Sequence, residues 1–415
     1  MDQKIKVDCC VAGGGPAGMM AGLLFARAGC KTLVLEKHAD FLRDFRGDTV
    51  HPSTLENIHE LGLLDAFLER PHQRVSKLSG IFEGDRIEVA DFSTIHATCK
   101  FIALMPQWHF LNFLAEVAST LPTFDVQMQA QVNGLIEENG TIKGVEVASQ
   151  EGPLCVQAKL VIGADGRGST VRECASLKVN NLGAPIDVLW FKVPRVDGLD
   201  EEPLLNVGNG RVVITLDRGD YYQCAFIIHK GGAQEIKERG LASFKDDVVG
   251  AAPRLAKNID VLNDFNEIKL LTVTIDRLER WSRPGLVMIG DSAHAMSPIG
   301  GVGINLAVQD AVACANLLAG PLAQGTLEAT DLQKVQARRM WPTRATQFMQ
   351  IEAQNGILKP IISERNVVTR QPLPLRIVSK VPFLKRRLAA LVGLGVRPEH
   401  VSSPERYKMS VPALR

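Results

Sequence analysis

A mostly apolar stretch from Ile5 to Ala12, broken by Lys6 and Asp8, leads directly into Gly13-Gly14-Gly15-Pro16-Ala17-Gly18, and no other junction in the chain narrows the architecture as far. A small-residue stretch, Ala17 to Ala28, follows the glycines, and a second apolar run reaches from Lys31 to Glu36. A buried strand, a glycine turn, a helix and a second strand make a βαβ unit. The glycines have the spacing G-x-G-x-x-G, in which each has a task. Gly13 permits the tight turn, Gly15 lets the backbone approach a pyrophosphate, and Gly18 lets helix and strand pack closely. The helix N-terminus, at Pro16 and Ala17, supplies free N–H groups and partial positive charge for phosphates. Glu36, with Lys37 after it, ends the second strand where a carboxylate can accept ribose hydroxyls. A bound dinucleotide is expected, and this motif leaves its identity open.

Further along, Leu55, Ile58, Leu61, Leu64 and Leu68 recur at helical spacing and predict one helix over Thr54 to Glu69; Phe110 to Ala118 also reads as helical. Between about 180 and 280 the period changes to two, as in Val188 to Val193, Arg211 to Leu216 and Tyr221 to His229, with Arg218-Gly219-Asp220 as turn material. That section predicts an antiparallel sheet. After Pro284-Gly285 the first pattern returns, with a strand at Leu286 to Ile289 and a long small-residue helix beyond Gly303. One cofactor domain is therefore assembled from separated pieces, with a β-rich layer inserted.

Charge and cysteine usage exclude several classes. Lys and Arg total 47 against 46 Asp and Glu, so the chain lacks the basic field of a nucleic-acid binder. The eight cysteines form no C-x-x-C pair and no cluster with histidine at zinc spacing, which fits a reducing, cytoplasmic setting. The N-terminus lacks the layout of a signal peptide, and no apolar run is expected to span a bilayer.

Two later stretches bear on the cofactor. Leu160 to Arg172 contains Ala164-Asp165-Gly166-Arg167, and Gly290-Asp291-Ser292-Ala293-His294 continues through Pro298, Gly301, Gly303, Ile304, Asn305 and Asp310-Ala311. With the glycine turn, and in this order, they resemble the three motifs of para-hydroxybenzoate hydroxylase-like, class A FAD-dependent monooxygenases over roughly residues 5 to 345. The resemblance implies an α/β fold, with a glutathione-reductase-type (Rossmann-like) FAD-binding domain, an inserted antiparallel substrate sheet and a C-terminal helical segment. The expected division is 1–75, 101–179 and 281–350 for the FAD-binding domain, 76–100 and 180–280 for the substrate domain, and 351–415 for the C-terminal segment.

The resemblance also assigns residues. Asp291 would bind the flavin ribitol with charge-assisted hydrogen bonds. The backbone beyond Pro298, at Gly301, Gly303, Ile304 and Asn305, would reach the isoalloxazine edge, with the dipole of a helix starting near Ile304 behind it. Arg46 and Gln107 would lie near the pyrophosphate, and Val132, on a strand from Gln129 to Leu135, would touch adenine through its backbone. Asp165, Arg167 and Arg172 would either organise the cofactor or serve the architecture, and His294 is assigned to structure. NAD(P)H would dock transiently, without a Rossmann unit of its own.

The implied reaction is hydroxylation, with O2, of a small aromatic or otherwise electron-rich substrate through a flavin C4a-hydroperoxide. The substrate would lie between the inserted sheet and the flavin, where Trp190, Tyr221, Gln223 and His229 are candidates; no catalytic base is assigned. Alternatives are a reductase of prenyl-type substrates, a flavin-dependent halogenase, whose Trp-x-Trp signature is absent here, and a non-catalytic nucleotide-binding regulator. The chain is expected to act as a monomer or homodimer. Residues 371–398 are basic and apolar with no acid; they predict either a helix on the cofactor domain with solvated charges or contact with an anionic membrane surface.

Overall fold

The structure is a computed structural model that describes residues 3–42, 49–195, 205–363 and 371–411. Its first layer is an eight-stranded sheet. Leu286–Met288, Gly152–Gly163, Gln3–Ala12, Thr32–Glu36 and Phe124–Met128 lie side by side in that order, all parallel. Ser282–Arg283 adds an antiparallel edge, and Gln131–Glu138 and Thr141–Ser149 form a meander that pairs antiparallel with Gly152–Gly163. Parallel strands need both faces covered, which is why Thr32–Glu36 is buried along its whole length. Cys9 and Val11 face the helices Pro16–Arg27, Gln107–Ala118 and Gly303–Gln324, while Cys10 and Ala12 face the meander.

The second layer is a seven-stranded sheet in the order Lys269–Leu271, Ile186–Pro194, Tyr221–His229, Arg211–Asp217, Leu205–Gly208, Lys77–Phe82, Asp85–Asp91. One contact departs from the antiparallel expectation, since Leu205–Gly208 pairs parallel with Lys77–Phe82. The hairpin Lys77–Asp91 comes from a distant part of the chain, so no tight turn dictates its direction. One face of this sheet, with Phe191, Tyr222 and Phe226, is sealed by the helices Ala233–Arg239 and Leu241–Ala251. The other face, with Val188, Ala225 and Ile227, packs on Ile299 of the first layer and on Ile361 and Leu375 near the C-terminus.

The helix expected over Thr54 to Glu69 is two helices, Pro52–Glu60 and Leu64–Leu68. Gly62, at φ +72°, ends the first, and the N–H groups of Gly62 and Leu63 close onto His59 O and Ile58 O, a terminating geometry that an apolar periodicity does not reveal. The helices Leu373–Lys380 and Pro382–Gly393 pack against the edge strand Asp85–Asp91 of the inserted sheet, and the second also meets the cofactor domain, where Val392 O contacts His51 Nδ1, so the expected packing on the cofactor domain is joined by one on the inserted sheet. Charge complementarity helps decide it, with Lys385 Nζ 3.3 Å from Glu88 Oε1. The tail beyond does reach the cofactor domain, where Arg406 N donates to Arg27 O. Among the described residues, the span Ile299–Gln324 is long and apolar enough to cross a membrane, contrary to the expectation above; 78% of its apolar window is buried as a core helix.

Candidate functional site

The motif residues meet at the carboxyl ends of the parallel strands, where open α/β sheets bind ligands. Gly13 N donates to Leu35 O, Ala164 N donates to Ala12 O, and Ile289 N donates to Gly163 O, so the ends of four strands are tied into one rim. Gly13 has φ +107°, and a Cβ there would lie 2.4 Å from Ala164 O. A Cβ on Gly18 would lie 1.8 Å from Gly13 O, so this glycine is needed for helix and turn to touch at all. Gly15 differs, because a Cβ there would meet no atom within 4 Å. The space above it is open, and the helix that starts at Pro16 has no side-chain cap and no acid in its first turn. Uncapped N–H groups beneath open space fit a pyrophosphate.

Glu36 is buried at the end of its strand. Its Oε2 accepts from Gly14 N at 2.9 Å, and its Oε1 accepts from His38 N at 3.1 Å and contacts His38 Nδ1. Burial alone would push this carboxyl up; the hydrogen bonds from His38 and Gly14 outweigh it and hold the group below its ordinary range. Lys37 beside it is exposed. Ala130 N donates to Glu36 O, which draws the strand Gln131–Glu138, with buried Val132 paired to Val147, to the same end of the sheet. That strand starts two residues later than expected. Gln107 is buried as the first residue of its helix. Arg46 lies outside the described residues.

The two acids of the later motifs have different surroundings. Asp165 accepts from Ser169 Oγ at 2.5 Å and from Val171 N at 3.1 Å, so its carboxylate fastens the start of the helix Thr170–Cys174. Burial pushes it above the usual carboxylate range in spite of those bonds. Asp291 is about one-third exposed and pairs with Arg167, whose Nη2 also donates to Met296 O. A half-open carboxylate at a strand end fits the hydroxyls of a sugar-alcohol chain. Arg172 bonds Arg167 O and faces Asp276, a bracing position.

The loop from Pro298 to Gly303 is set by its glycines and by Asn305. Gly301 has φ +63°, and a Cβ there would lie 2.4 Å from Thr49 Oγ1, which instead donates to Gly301 O at 2.8 Å. The helix begins at Gly303, one residue before Ile304, and no atom lies within 4 Å of where a Gly303 Cβ would stand. The Asn305 side chain is turned inward: its Oδ1 accepts from His51 N and Thr54 Oγ1, and its Nδ2 donates to Thr49 O and Gly301 O. The Asn305 side chain thus fastens the loop to the segment Thr49 to Thr54.

A buried charge network beneath this loop was not legible in the sequence. Asp310 Oδ2 accepts from Gly290 N and lies 2.5 Å from His294 Nε2, while Asp310 Oδ1 accepts from Arg339 Nε at 2.8 Å. Arg339 and Arg338 both reach Glu399. Burial would push Asp310 up, but His294 and Arg339 hold it below the usual range. His294 therefore has the structural part expected of it. A motif could have pointed to Asp310; nothing local points to Arg339 or Glu399.

Of the substrate candidates, Trp190 and Gln223 stand on the sheet face that looks toward Ile299. Tyr221 shares that face at the strand end, with Lys192 Nζ 5.4 Å from its ring centre. His229 stands at the opposite, exposed end, 3.5 Å from Glu235, away from the others.

The FAD binding domain family matches residues 6–348. The 6-methylpretetramide 4-monooxygenase of Streptomyces rimosus is 32% identical over 92% of this chain and 92% of that protein. The 12-dehydrotetracycline 5-monooxygenase/anhydrotetracycline 6-monooxygenase of Streptomyces rimosus subsp. rimosus is 27% identical over 86% of this chain and 71% of that protein. In fold, an anhydrotetracycline hydroxylase structure from Streptomyces rimosus aligns with a TM-score of 0.74 at 24% identity, covering 95% of this chain and 77% of the other. The open cradle at Gly15, the strand-end carboxylate of Asp291 and this match over most of the chain agree, and the protein belongs to the para-hydroxybenzoate hydroxylase-like family of FAD-dependent aromatic monooxygenases.

Proposed function

We propose that this monooxygenase hydroxylates a fused-ring phenol or ketone bound between the inserted sheet and the loop Pro298 to Gly303. The observation that carries the reading is the packing of the inner sheet face, at Val188 and Ala225, against Ile299 of that loop. The two tetracycline-type relatives support the polycyclic class. The reaction balances as substrate C–H, O2, NAD(P)H and a proton giving C–OH, water and NAD(P)+. When bound, FAD supplies the electron transfer and oxygen activation.

The chain's own residues position and shield. The N–H groups at Ala17 and Gly18, with Gln107, would hold the pyrophosphate of the bound cofactor; Glu36 and Lys37 would bind its ribose and Val132 its adenine. Asp291 would take the ribitol, and the main chain from Gly301 to Asn305 would face the ring, where its N–H groups would stabilise charge. Asp165 shapes the turn that presents Arg167 to Asp291. The apolar sheet face excludes water from the reacting centre. The division into 1–75, 101–179 and 281–350 against 76–100 and 180–280, with 351–415 closing the chain, belongs to the same proposal, and the pairing of Lys77–Phe82 with Leu205–Gly208 supports it. Purified protein, supplied with NAD(P)H and a panel of polycyclic phenols including anhydrotetracycline, should consume NAD(P)H faster with substrate and add one oxygen from 18O2. Peroxide as the sole product with every panel member would count against the reading.

A second reading concerns the C-terminal hairpin. Leu373 and Phe383 are 66% and 61% exposed, and Arg376, Lys380, Arg386 and Arg387 are exposed with them. Exposed apolar and cationic side chains together favour peripheral contact with an anionic membrane surface.

A further inference from the structure

The inner face of the inserted sheet carries two buried hydrogen-bond donors with nothing to bond. Trp190 lies opposite Ala225, and Gln223 lies opposite Lys192 on one side and Leu216 on the other. Trp190 and Gln223 are therefore diagonal neighbours on one face, about 7 Å apart at Cβ. Phe191 and Tyr222, next to them in sequence, point into the helix-covered core behind the sheet. Gln223 is 4% exposed, and its Oε1 accepts from Arg218 Nε at 3.2 Å. That contact fixes which end of the amide is which, because a guanidinium can only donate. The remaining Nε2 is buried without a partner, and so is the indole Nε1 of Trp190. Trp190 also packs in both apolar clusters of this face, one holding Ile299 and the other Leu216.

Buried donors are nearly always satisfied in folded proteins, and an unsatisfied pair in an apolar surface calls for a missing acceptor. Resting on the proposal that this face is the substrate wall, we infer that Trp190 and Gln223 are specificity-determining donors that hold two oxygen atoms along one edge of a fused-ring substrate. Both groups can only donate, so they select carbonyl or phenolate oxygens and discriminate against a bare hydrocarbon edge. Discrimination is expected to be strong, because a ligand without acceptors leaves both donors buried and unpaired.

The test measures equilibrium binding to the FAD-loaded protein without NAD(P)H, through perturbation of the flavin absorbance, and so does not depend on turnover. The probes are 1,8-dihydroxyanthraquinone, which has oxygens along one long edge, and anthracene-2-sulfonate, whose acceptor oxygens are confined to one sulfonate and whose edge at the corresponding 1, 8 and 9 positions is bare. Gln223→Leu and Trp190→Phe should each weaken dihydroxyanthraquinone binding roughly tenfold and leave anthracene-2-sulfonate binding within about twofold of wild type. Any loss of thermal stability, from the Arg218 hydrogen bond of Gln223 or the packing of Trp190, should affect both probes alike, so the selective loss of dihydroxyanthraquinone binding separates the proposal from a merely structural role. Failure of the wild-type protein to bind dihydroxyanthraquinone, or equal losses for both probes, would overturn the assignment. Tight, donor-dependent binding with no hydroxylation of any phenol in the panel would leave the donors standing and overturn only the proposed reaction.

Discussion

Arg167 Nε lies 3.0 Å from Asp291 Oδ2, so one ion pair joins the second and third motifs across the rim of the parallel sheet. Both side chains are about one-third exposed, which makes the pair weak enough to open to a ligand. Asp291 is thereby held, oriented, where the ribitol is proposed to lie. Replacing it with alanine is expected to weaken FAD binding at least tenfold, from the loss of charged hydrogen bonds of about 1.5–3 kcal/mol. Titration of the apoprotein with FAD, read by flavin fluorescence, checks this. Unchanged affinity would remove Asp291 from the site.

The two glycines of the first turn predict opposite phenotypes. Gly15→Ala adds a methyl group into open space and should leave the melting temperature within a degree or two while lowering FAD affinity. Gly13→Ala forces a side chain onto Ala164 O at a left-handed φ and should destabilise the fold itself. Thermal denaturation of the apoproteins beside FAD titrations distinguishes them.

His51 is fully buried at the start of the helix Pro52–Glu60, with Nδ1 2.7 Å from Val392 O. Burial pushes its pKa down from 6.5 to about 4, against a smaller opposing effect of the Val392 carbonyl. Between those values the unfolded chain binds a proton that the folded protein refuses. Stability from this group is thus fully present above about pH 6.5 and is lost as pH falls toward 4, to the extent of roughly 3 kcal/mol. Urea denaturation across that range should show the slope, and His51→Gln should flatten it.

Arg339→Met leaves Asp310 buried, with its guanidinium partner gone and His294 as its remaining side-chain contact. Breaking such a pair costs about 3–5 kcal/mol, well beyond a typical surface change. Because Asp310 also holds Gly290 N, the variant should release FAD at lower denaturant concentrations than it loses helix signal. Simultaneous loss of both would show that the network supports only the global fold.

For the C-terminal hairpin, the expected outcome is pelleting with vesicles containing phosphatidylglycerol but not with pure phosphatidylcholine, reduced at high salt. The double substitution Leu373→Glu, Phe383→Glu should abolish it. Equal recovery on both vesicle types would exclude the anionic-surface reading, and concentration-dependent self-association of the free protein would point to a second copy of the chain as the occupant.

The chemistry of the cofactor cradle could be read from residues in order because it depends on local geometry. A left-handed turn at Gly13, a close approach at Gly18 and an acid at a strand end are properties of short segments, and they survive into the structure unchanged. Composition could not tell that Asp165 spends its carboxylate on Ser169 and Val171 while Asp291 keeps half of its own open, since both follow strands and precede glycine or serine. Nor could periodicity show that Gly62 splits a helix, that Lys77–Phe82 runs parallel to Leu205–Gly208, or that Gln223 and Trp190 share a face with unbonded nitrogens. The break at Gly62 is a local turn that an apolar period passes over, but the other two outcomes rest on pairings between segments separate in the chain, where direction, register and burial are fixed by packing against partners that no local pattern names.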